Sequence, residues 1–563
     1  MPLLRRIDLD TTAVLSDEEI ERRWSEFHRA VRTTSSSRLR RWMGAMAGAQ
    51  TLRGRAARWL ARPLLARQRS RRLAVVTRDL GDEQMRFPSD YVPSTIVTPD
   101  PTQSSARFPD VLVVVIDEVS SSVESIVSSL NESLDATTAS WLLLLDATHG
   151  AGERDGALQE LFEEATADRD VIFADEPGVT PLTPILKPPS VGPHTLLSYN
   201  VIGRPALLRV NTLKEIGGFH ASVGWAFEHD AYLRMHEVGA TFHHVARVIN
   251  AGRATSSFEA EHINPGTRAA TEAALVRRGW RGTVENGAVP GVSRWRLAPA
   301  TPSPSIDIII PTRDRIDLVR RCVESIERLS TYSNYNIIIL DNDSREPASH
   351  QYFTSTRHRV VACPGEFNYA KIVNRGVDQS SADFVVTLNN DTVVLSADWL
   401  DQMVALASLD DVGIVGACLL DAKGHHEHDG FVIAPYPQHL RVGANYPVID
   451  QFSNSVRDVS AVTGAVQMVE RRWWQRLHGM DEGLKVVMND VDLCLRSQLE
   501  GRLVVYTPDV QLVHEAGSSR GDLDPIDDRN LFVRRWDIFG DFQDPYFAES
   551  LRLIGDLFVY RAP

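Results

Sequence analysis

The sequence is poor in cysteine and in long apolar runs. Its four cysteines among 563 residues are scattered, with no Cys-x-x-Cys pair and no spacing typical of metal ligands. Neither a disulfide framework nor a structural zinc site is therefore predicted. No apolar run approaches the roughly 20 residues that a membrane span needs. The first ten residues, MPLLRRIDLD, also lack the apolar stretch of a signal peptide, so the sequence predicts a cytoplasmic protein.

Acidic residues and lysine are absent from one segment near the N-terminus. The chain carries 60 Lys+Arg against 74 Asp+Glu, a formal net charge of −14, which argues against a nucleic-acid partner. Residues 27–78 nevertheless contain fourteen arginines and no lysine, aspartate or glutamate. The rest of the chain therefore carries a formal net charge of −28. Residues 1–78 are predicted to form a basic helical extension with Trp42 and Trp59 among its arginines. Such a segment either lies on an anionic membrane, here the inner face of the plasma membrane, or packs on the acidic body.

Two later regions of the chain repeat one pattern. The apolar run at 111–116 and the run at 306–310 each precede a helical pattern, and similar strands and helices follow each of them in the same order. Apolar strands that alternate with amphipathic helices predict an α/β fold, with two tandem Rossmann-like domains whose sheets are mostly parallel. The predicted boundaries are an extension at 1–78, a first domain at 79–281, a linker at 282–304 and a second domain at 305–563.

Acidic side chains follow three predicted segments of the second domain. Asp341 and Asp343 follow the apolar run at 337–340, and Asp391 follows the run at 384–388 and two asparagines. Asp490 and Asp492 lie in a later segment of the same domain. In open parallel sheets, ligands bind beyond the carboxyl ends of the strands. Carboxylate oxygens there suit Mg²⁺ or Mn²⁺ bound to phosphates. One aspartate at a strand end is more often a cap, but three such positions in one domain favour a site.

A series of motifs in a fixed order identifies the second domain further. They are IIIPTRDR (308–315), LDNDS (340–344), PGEFNYAKIVNRGV (364–377), LNNDTVV (388–394), SAVTGAV (460–466), NDVDLCLR (489–496), YTPDVQLVHEAGSSRG (506–521) and DPYF (544–547). On these motifs, residues 305–548 resemble the family 2 glycosyltransferases of the GT-A fold, in particular the bacterial rhamnosyltransferase-like branch. The resemblance implies an inverting, metal-dependent hexosyltransferase that moves a sugar from a nucleotide diphosphate donor to a glycan or lipid-linked acceptor in cell-envelope polysaccharide synthesis.

The resemblance also implies roles for individual residues. The donor nucleotide pocket would include Pro311, Thr312, Arg313, Asp341, Asp343, Asn374 and Asn390. Asp391 and His514 would hold the divalent metal, Mn²⁺ or Mg²⁺, although the usual Asp-x-Asp begins here with Asn389. Asp490 would be the general base that takes the proton of the acceptor hydroxyl. Asp492 would orient the acceptor or pack its loop; from the residues alone, both acids could simply open a helix at its positive end.

The first domain departs from this pattern. Asp146 ends its second strand, but Thr148 replaces the second acid of an Asp-x-Asp. Glu228 stands where Asp490 stands in the second domain, and Asp230 stands where Asp492 stands. Asp146, Glu228 and Asp230 are therefore the candidates for a second site. The first domain is either impaired for transfer, and then binds acceptor or organises a dimer, or it is active in a bifunctional enzyme.

Several alternatives follow from what the second domain lacks. It has no Gln-x-x-Arg-Trp motif, since Phe532 occupies the place of the glutamine, so a processive membrane synthase is disfavoured. No glycine-rich loop follows the strand that ends at 311–312, which disfavours a sugar-1-phosphate nucleotidyltransferase. A non-catalytic glycan-binding or scaffold protein built on retired transferase domains remains the alternative. The histidine-rich stretch 424–430 is predicted to be a loop beside the acceptor rather than a metal site.

Overall fold

The computed structural model describes residues 16, 19–25, 111–116, 122–146, 154–176, 185–249, 260–434, 436–441, 449–515, 525–539, 542–554 and 557–560. The arginine-rich segment 27–78, and with it most of the predicted basic extension, lies outside the described residues. Within the described ranges, no helix is both long enough and apolar enough to cross a bilayer.

Five strands form the sheet of the first domain, in the spatial order β1-β2-β4-β3-β5. They are β1 (Val111–Ile116), β2 (Trp141–Asp146), β3 (Val171–Asp175), β4 (Ala206–Arg209) and β5 (Phe242–Val248). β1 pairs with β2 in parallel, as does β3 with β5, whereas β4 runs antiparallel to both of its neighbours. Every residue of β3 is buried, as expected for a strand covered on both faces.

Ten strands form the sheet of the second domain, whose main path is β10-β9-β8-β11-β18-β13-β19-β12. β14 pairs with β13, and β17 pairs with β19, at the side of this path. The strands are β8 (Ile306–Thr312), β9 (Tyr335–Asp341), β10 (Arg359–Ala362), β11 (Phe384–Leu388), β12 (Thr392–Val394), β13 (Val412–Leu420), β14 (His426–His428), β17 (Arg457–Asp458), β18 (Val466–Glu470) and β19 (Leu503–His514). The remaining strands form hairpins, β6 (Gly282–Asn286) with β7 (Ser293–Leu297), β15 (Phe431–Ile433) with β16 (Pro437–His439), and β20 (Leu551–Ile554) with β21 (Leu557–Tyr560).

Helices connect these strands and cover the sheets. They are α1 (19–25), α2 (Val123–Ala136), α3 (Arg154–Glu163), α4 (Pro193–Ser198), α5 (Val210–Glu215), α6 (Phe227–Glu237), α7 (Ala260–Arg277), α8 (Ile316–Leu329), α9 (Pro347–Ser355), α10 (Tyr369–Asp378), α11 (Trp399–Ala407), α12 (Ile449–Ser453), α13 (Arg471–Arg476), α14 (Asn489–Leu499) and α15 (Ile526–Trp536). Helix α8 is strongly amphipathic, with Leu318, Val319, Cys322, Val323 and Ile326 on its buried face.

The first sheet repeats five central strands of the second. The order β1-β2-β4-β3-β5 corresponds to β8-β11-β18-β13-β19, with the same parallel and antiparallel pairings. The α/β class is confirmed, but both sheets are mixed, because one strand in each runs antiparallel between its neighbours. Apolar runs predict burial and cannot predict strand direction.

The connection between β1 and β2 in the first domain is too short for counterparts of the strands β9 and β10. Residues 117–140 join β1 to β2, and their described part, 122–140, contains the helix α2, whereas residues 313–383 join β8 to β11 and contain β9 and β10. The edge of the second sheet that carries Asp341 and Asp343 therefore has no counterpart in the described part of the first.

The stretch predicted as a linker forms part of the folded core. Its strands β6 and β7 pair in register from Gly282–Leu297 to Asn286–Ser293. Trp295 on β7 is 1% exposed, and its indole N–H donates to Ser198 Oγ at 2.9 Å. Of the prolines that indicated a linker, Pro290 lies in the turn of this hairpin, and Pro299, Pro302 and Pro304 follow it.

The two domains are joined through a helix cap. The side chain of Asp458, from β17, accepts hydrogen bonds from the backbone N–H groups of His194 (2.9 Å) and Thr195 (3.0 Å) in the first turn of α4. It also pairs with His194 Nδ1 at 2.7 Å. The buried imidazole stacks near Trp280 and Trp295, with ring centroids 6.4 and 6.2 Å away. A carboxylate of one domain thus satisfies the open N-terminus of a helix in the other.

Candidate active site

A cleft of about 730 Å³ lies at the carboxyl ends of β8 and β11. Because β19 runs in the same direction as these strands, its end at His514 reaches the same edge. The cleft is lined by Pro311, Thr312, Arg313, Asn342, Phe367, Tyr369, Ile372, Asn389, Asn390, Asp391, Glu427, Phe431, Tyr436, Pro437, His439, Thr463, Gly464, Ala465, Val486, Val487, Met488, Asn489, Asp490, His514 and Arg529.

The structure brings four of the predicted nucleotide-binding residues into this cleft. Pro311, Thr312 and Arg313 end β8 and begin the following loop, and Asn390 follows β11. Asn390 Nδ2 donates to Thr312 Oγ1 at 2.9 Å, and both side chains are almost fully buried. This bond ties the ends of two neighbouring strands together and fixes the floor of the cleft.

Asp341 and Asp343 do not line the cleft. Asp341 Oδ1 accepts from Ser344 N at 2.9 Å, and Asp343 Oδ2 accepts from Gly365 N at 2.8 Å, so both carboxylates shape the loops after β9. The residue between them does line it. The side chain of Asn342 is 2% exposed, and its Oδ1 has no hydrogen-bond partner among the described residues. The sequence motifs imply roles for Asp341 and Asp343, on either side of Asn342, and do not single out the amide between them.

Asn374 is also outside the cleft. Its Nδ2 donates to Met480 O and its Oδ1 accepts from Met480 N, both at 2.9 Å. The side chain therefore fastens α10 to the loop at 477–482 that leads toward α14.

The two predicted metal ligands lie side by side. His514 Nε2 is 3.4 Å from Asp391 Oδ1, because Thr392 and His514 are register partners in the antiparallel pair of β12 and β19. His514 Nδ1 lies 3.3 Å from Glu427 Oε2 on the other side of the ring. Although burial disfavours its charged form, hydrogen bonds to Asp391 and Glu427 raise the pKa of His514 to about 9.

Sequence reasoning missed Glu427 because it treated the histidine-rich stretch as one loop. Residues 426–428 form β14, in which side chains alternate between faces. His428 is fully buried, and its Nε2 accepts from Thr463 N at 3.1 Å, while Glu427 lies against His514. Carboxylate oxygens and one imidazole nitrogen are a donor set that fits Mn²⁺ or Mg²⁺. The residues present therefore fit a divalent cation.

Asp490 faces the same cleft from the first turn of α14. Its Oδ2 accepts from Gly464 N at 2.7 Å, and its Oδ1 accepts from Val491 N at 2.8 Å. A β-carbon added at Gly464 would lie 3.2 Å from Asp490 Cβ, which is tighter than an ordinary contact. The close approach of the Gly464 backbone to the Asp490 side chain therefore depends on the glycine. Tyr369 holds the same loop, since its hydroxyl donates to Gly464 O at 3.0 Å. The carboxylate is thus held in a fixed orientation at the mouth of the cleft.

Asp492 is not brought into the cleft. It is fully buried, with Oδ2 2.7 Å from Arg496 Nε and Oδ1 accepting from Trp536 Nε1 at 3.0 Å. The first domain contains the same arrangement, in which Asp230 Oδ2 accepts from Arg234 Nε at 2.8 Å. In each copy the arginine also donates to a backbone carbonyl of the preceding loop. Asp492 and Asp230 therefore make equivalent contacts, and for Asp492 these contacts favour packing of its loop over contact with an acceptor in the cleft.

The acid at the base position of the first domain is tied to an arginine. Glu228 Oε1 is 2.6 Å from Arg204 Nε, and both side chains are nearly buried. Arg204 precedes the helix after β4 by as many residues as Ala465 precedes the helix after β18, so the two positions correspond. Ala465 lines the cleft of the second domain, and the first domain has an arginine at the corresponding position. The side chain of Asp146 lies outside the described residues.

Comparison with known proteins assigns the second domain to a family. Residues 307–451 match the family model of Glycosyl transferase family 2, and residues 384–538 match that of Glycosyl transferase family group 2. Residues 307–538 of the second domain are therefore similar to glycosyltransferase family 2. The uncharacterized protein y4gI of Sinorhizobium fredii is 31% identical over 443 residues, which cover 71% of this chain and 47% of that protein. The O-antigen biosynthesis protein RfbC of Myxococcus xanthus is 29% identical over 406 residues, which cover 68% of this chain and 31% of RfbC.

The chain spans about half the length of the first relative and about a third of the second. Two solved structures are also similar. The mannosyltransferase PcManGT from Pyrobaculum calidifontis, in complex with GDP-Man and Mn²⁺, is 18% identical, with a TM-score of 0.30 over 40% of this chain and 60% of its own. GalNAc-T7 with UDP, GalNAc and Mn²⁺ is 14% identical, with a TM-score of 0.32 over 39% of this chain and 45% of its own.

Proposed function

We propose that the second domain is an inverting, metal-dependent glycosyltransferase that moves a hexose from a nucleotide diphosphate donor to a glycan or lipid-linked acceptor. The observation that carries the proposal is the meeting of three groups in one cleft. The strand-end residues Pro311–Arg313, the pair Asp391 and His514, and the oriented carboxylate of Asp490 all line it. Rhamnose is the sugar that the sequence motifs favour.

In this proposal Asp490 is the general base. Its carboxylate is oriented by the backbone N–H of Gly464 at 2.7 Å, and it accepts the proton of the acceptor hydroxyl as that oxygen attacks the anomeric carbon. Orientation matters because the base and the attacking oxygen must meet within hydrogen-bond distance. The bond between the anomeric carbon and the diphosphate breaks as the new glycosidic bond forms on the opposite face, which inverts the configuration.

Asp391 and His514 would hold the divalent cation, Mn²⁺ or Mg²⁺, with Glu427 beside them. When bound, such a cation neutralises the charge that develops on a departing diphosphate. Thr312 and Asn390, joined at 2.9 Å, form the floor against which the nucleotide would lie.

We propose that the first domain is not a second active site. The carboxylate of Glu228, the candidate base, is engaged by the guanidinium of Arg204 at 2.6 Å, so the oxygen in this ion pair faces a cation and not an acceptor hydroxyl. The connection 117–140 is also too short to supply an edge like β9 and β10. These observations disfavour the bifunctional enzyme and support a role of the first domain in organising the catalytic one.

The proposed setting is polysaccharide synthesis at the inner face of the plasma membrane. The name of the relative RfbC, an O-antigen biosynthesis protein, supports such a pathway. The arginines of residues 27–78 support peripheral binding, since a basic residue near an anionic membrane contributes about 1 kcal/mol.

The test is hydrolysis of a panel of nucleotide diphosphate sugars, with dTDP-rhamnose included, in Mn²⁺ or Mg²⁺. Asp490→Asn should lower turnover by about 10²–10⁴-fold, the usual contribution of a positioned base. Glu228→Gln is the matched control in the other domain and should leave turnover unchanged. No turnover of any donor, or full turnover by Asp490→Asn, would contradict the proposal; loss in Glu228→Gln alone would move the active site to the first domain.

A further inference from the structure

The helix α1 packs against the catalytic domain. Ile20 is fully buried, and Trp24 is 5% exposed within a core cluster made otherwise of second-domain residues. Trp24 Nε1 donates to Asn530 Oδ1 at 2.9 Å, a contact across 506 positions of sequence. Residues near the N-terminus therefore form part of the domain that carries the cleft.

Trp24 supports two residues of the cleft wall. Its ring lies edge-on to Tyr436, with centroids 4.6 Å apart, and the guanidinium carbon of Arg529 lies 5.3 Å from the Trp24 ring. The same guanidinium carbon lies 5.7 Å from the Tyr436 ring. Tyr436 and Arg529 both line the cleft, whereas Trp24 lies behind them. Arg529 is thus held against two aromatic rings at the rim of the site.

Arg529 belongs to the region of the cleft that contains the proposed base. Burial raises the pKa of Tyr436, the charge of Arg529 opposes this rise, and the charge of Asp490 adds to it. Both charged groups therefore act on the same phenol. A guanidinium that stacks on rings uses its planar faces, and its N–H groups radiate in the plane, the geometry that suits phosphate oxygens.

We propose that Arg529 is an anion-binding residue of the cleft, which contacts the oxygens of a diphosphate bound there, and that Trp24 is its positioning residue. The proposal rests on the proposed function, because it assigns a further contact in the same site. Two sources offer this chemistry. One is the diphosphate of the donor, and the other is the diphosphate of a lipid-linked acceptor.

The first experiment measures binding of inorganic pyrophosphate to the full-length protein by calorimetry in the presence of Mn²⁺. Arg529→Ala should weaken binding at least tenfold. Arg529→Lys should weaken it less, because lysine keeps the positive charge and loses only the planar arrangement of N–H donors. Trp24→Ala should weaken it several-fold, with Trp24→Phe close to wild type. Arg320→Ala is the matched control, since Arg320 stacks on Tyr352 at 5.0 Å outside the cleft, and it should bind as wild type does.

Kinetics then distinguish the two sources. A rise in KM for the donor alone in Arg529→Ala assigns the contact to the donor, and a rise for a lipid-diphosphate acceptor alone assigns it to the acceptor. Unchanged pyrophosphate affinity in Arg529→Ala, or absence of binding to wild type, would overturn the proposal. The proposed function would survive either result as long as Asp490→Asn lowered donor turnover by the expected factor, so the two failures are distinguishable.

Discussion

Replacing Asp458 by alanine removes the carboxylate that joins the two domains. Two buried backbone N–H groups in α4 then lack an acceptor, at about 1–3 kcal/mol each, and His194 loses its partner at 2.7 Å. Breaking a buried ion pair from one side typically costs about 3–5 kcal/mol. We expect Asp458→Ala to lower the free energy of unfolding by about 3–5 kcal/mol, with Asp458→Asn intermediate because an amide oxygen still accepts.

The assay is urea unfolding followed by tryptophan fluorescence, since Trp280 and Trp295 lie beside His194. Asp411→Ala is the matched control, because Asp411 lies 3.9 Å from the other nitrogen of the same imidazole but its side chain is 46% exposed. It should change the free energy of unfolding by less than about 0.5 kcal/mol. A loss below about 1 kcal/mol for Asp458→Ala, the size of an ordinary substitution, would refute the argument from burial.

The same pair predicts a pH dependence of stability. Burial alone would lower the pKa of His194, but Asp458 outweighs it and raises that pKa; burial alone would raise the pKa of Asp458, but His194 outweighs it and lowers that pKa. The histidine's contribution is full below its unfolded pKa of about 6.5 and is lost as the pH rises through the raised value. The aspartate's contribution is full above about pH 3.9 and is lost in acid. The stability difference between wild type and His194→Gln should therefore be larger at pH 6 than at pH 9, and an equal difference would contradict this assignment.

Three further predictions concern the site and its surroundings. Gly464→Ala should lower kcat of donor turnover about tenfold or more with little change in KM, because the new methyl displaces Asp490; equal kcat would show that the contact is not needed. Asp492→Asn should lower the free energy of unfolding by about 2–4 kcal/mol in urea, because Arg496 is left partly unpaired, and retained stability would contradict the structural role. A variant lacking residues 27–78 should lose co-sedimentation with anionic vesicles that the intact chain binds at low salt, and equal binding by both would exclude the membrane-surface role.

The parts of the site that the sequence predicts are those fixed by strand ends. Asp391 immediately precedes β12, whose first residue pairs with His514 at the end of β19. Asp490 lies in the first turn of α14, so local pattern and sheet topology determine where these residues lie. Glu427 was not predicted, because a strand of three residues is too short for its alternation of side chains to be recognised in a histidine-rich sequence. The sequence does contain an indication that Asp492 is paired, because Arg496 follows it by four residues, the spacing of an ion pair along a helix.

The first domain illustrates the same limits. Its apolar runs predict β1 and β2, but a run of buried residues contains no information on the direction of β4 or β18. The spacing between β1 and β2 does contain information, since residues 117–140 can hold one crossover helix and no further strand pair. The cap by Asp458 is beyond sequence reasoning, because 264 positions separate it from His194 and no local rule relates them.

That separation has a consequence for synthesis of the chain. The first domain leaves the ribosome with α4 uncapped, and Asp458 emerges only after 264 further residues have been added. At about 5–20 residues per second, the interval is on the order of tens of seconds. During this time the first turn of α4 lacks the acceptor that Asp458 supplies in the complete fold, and incompletely packed nascent segments of this kind are those on which chaperones act. The first domain completes its fold only when the catalytic domain arrives, which ties the production of one to the production of the other.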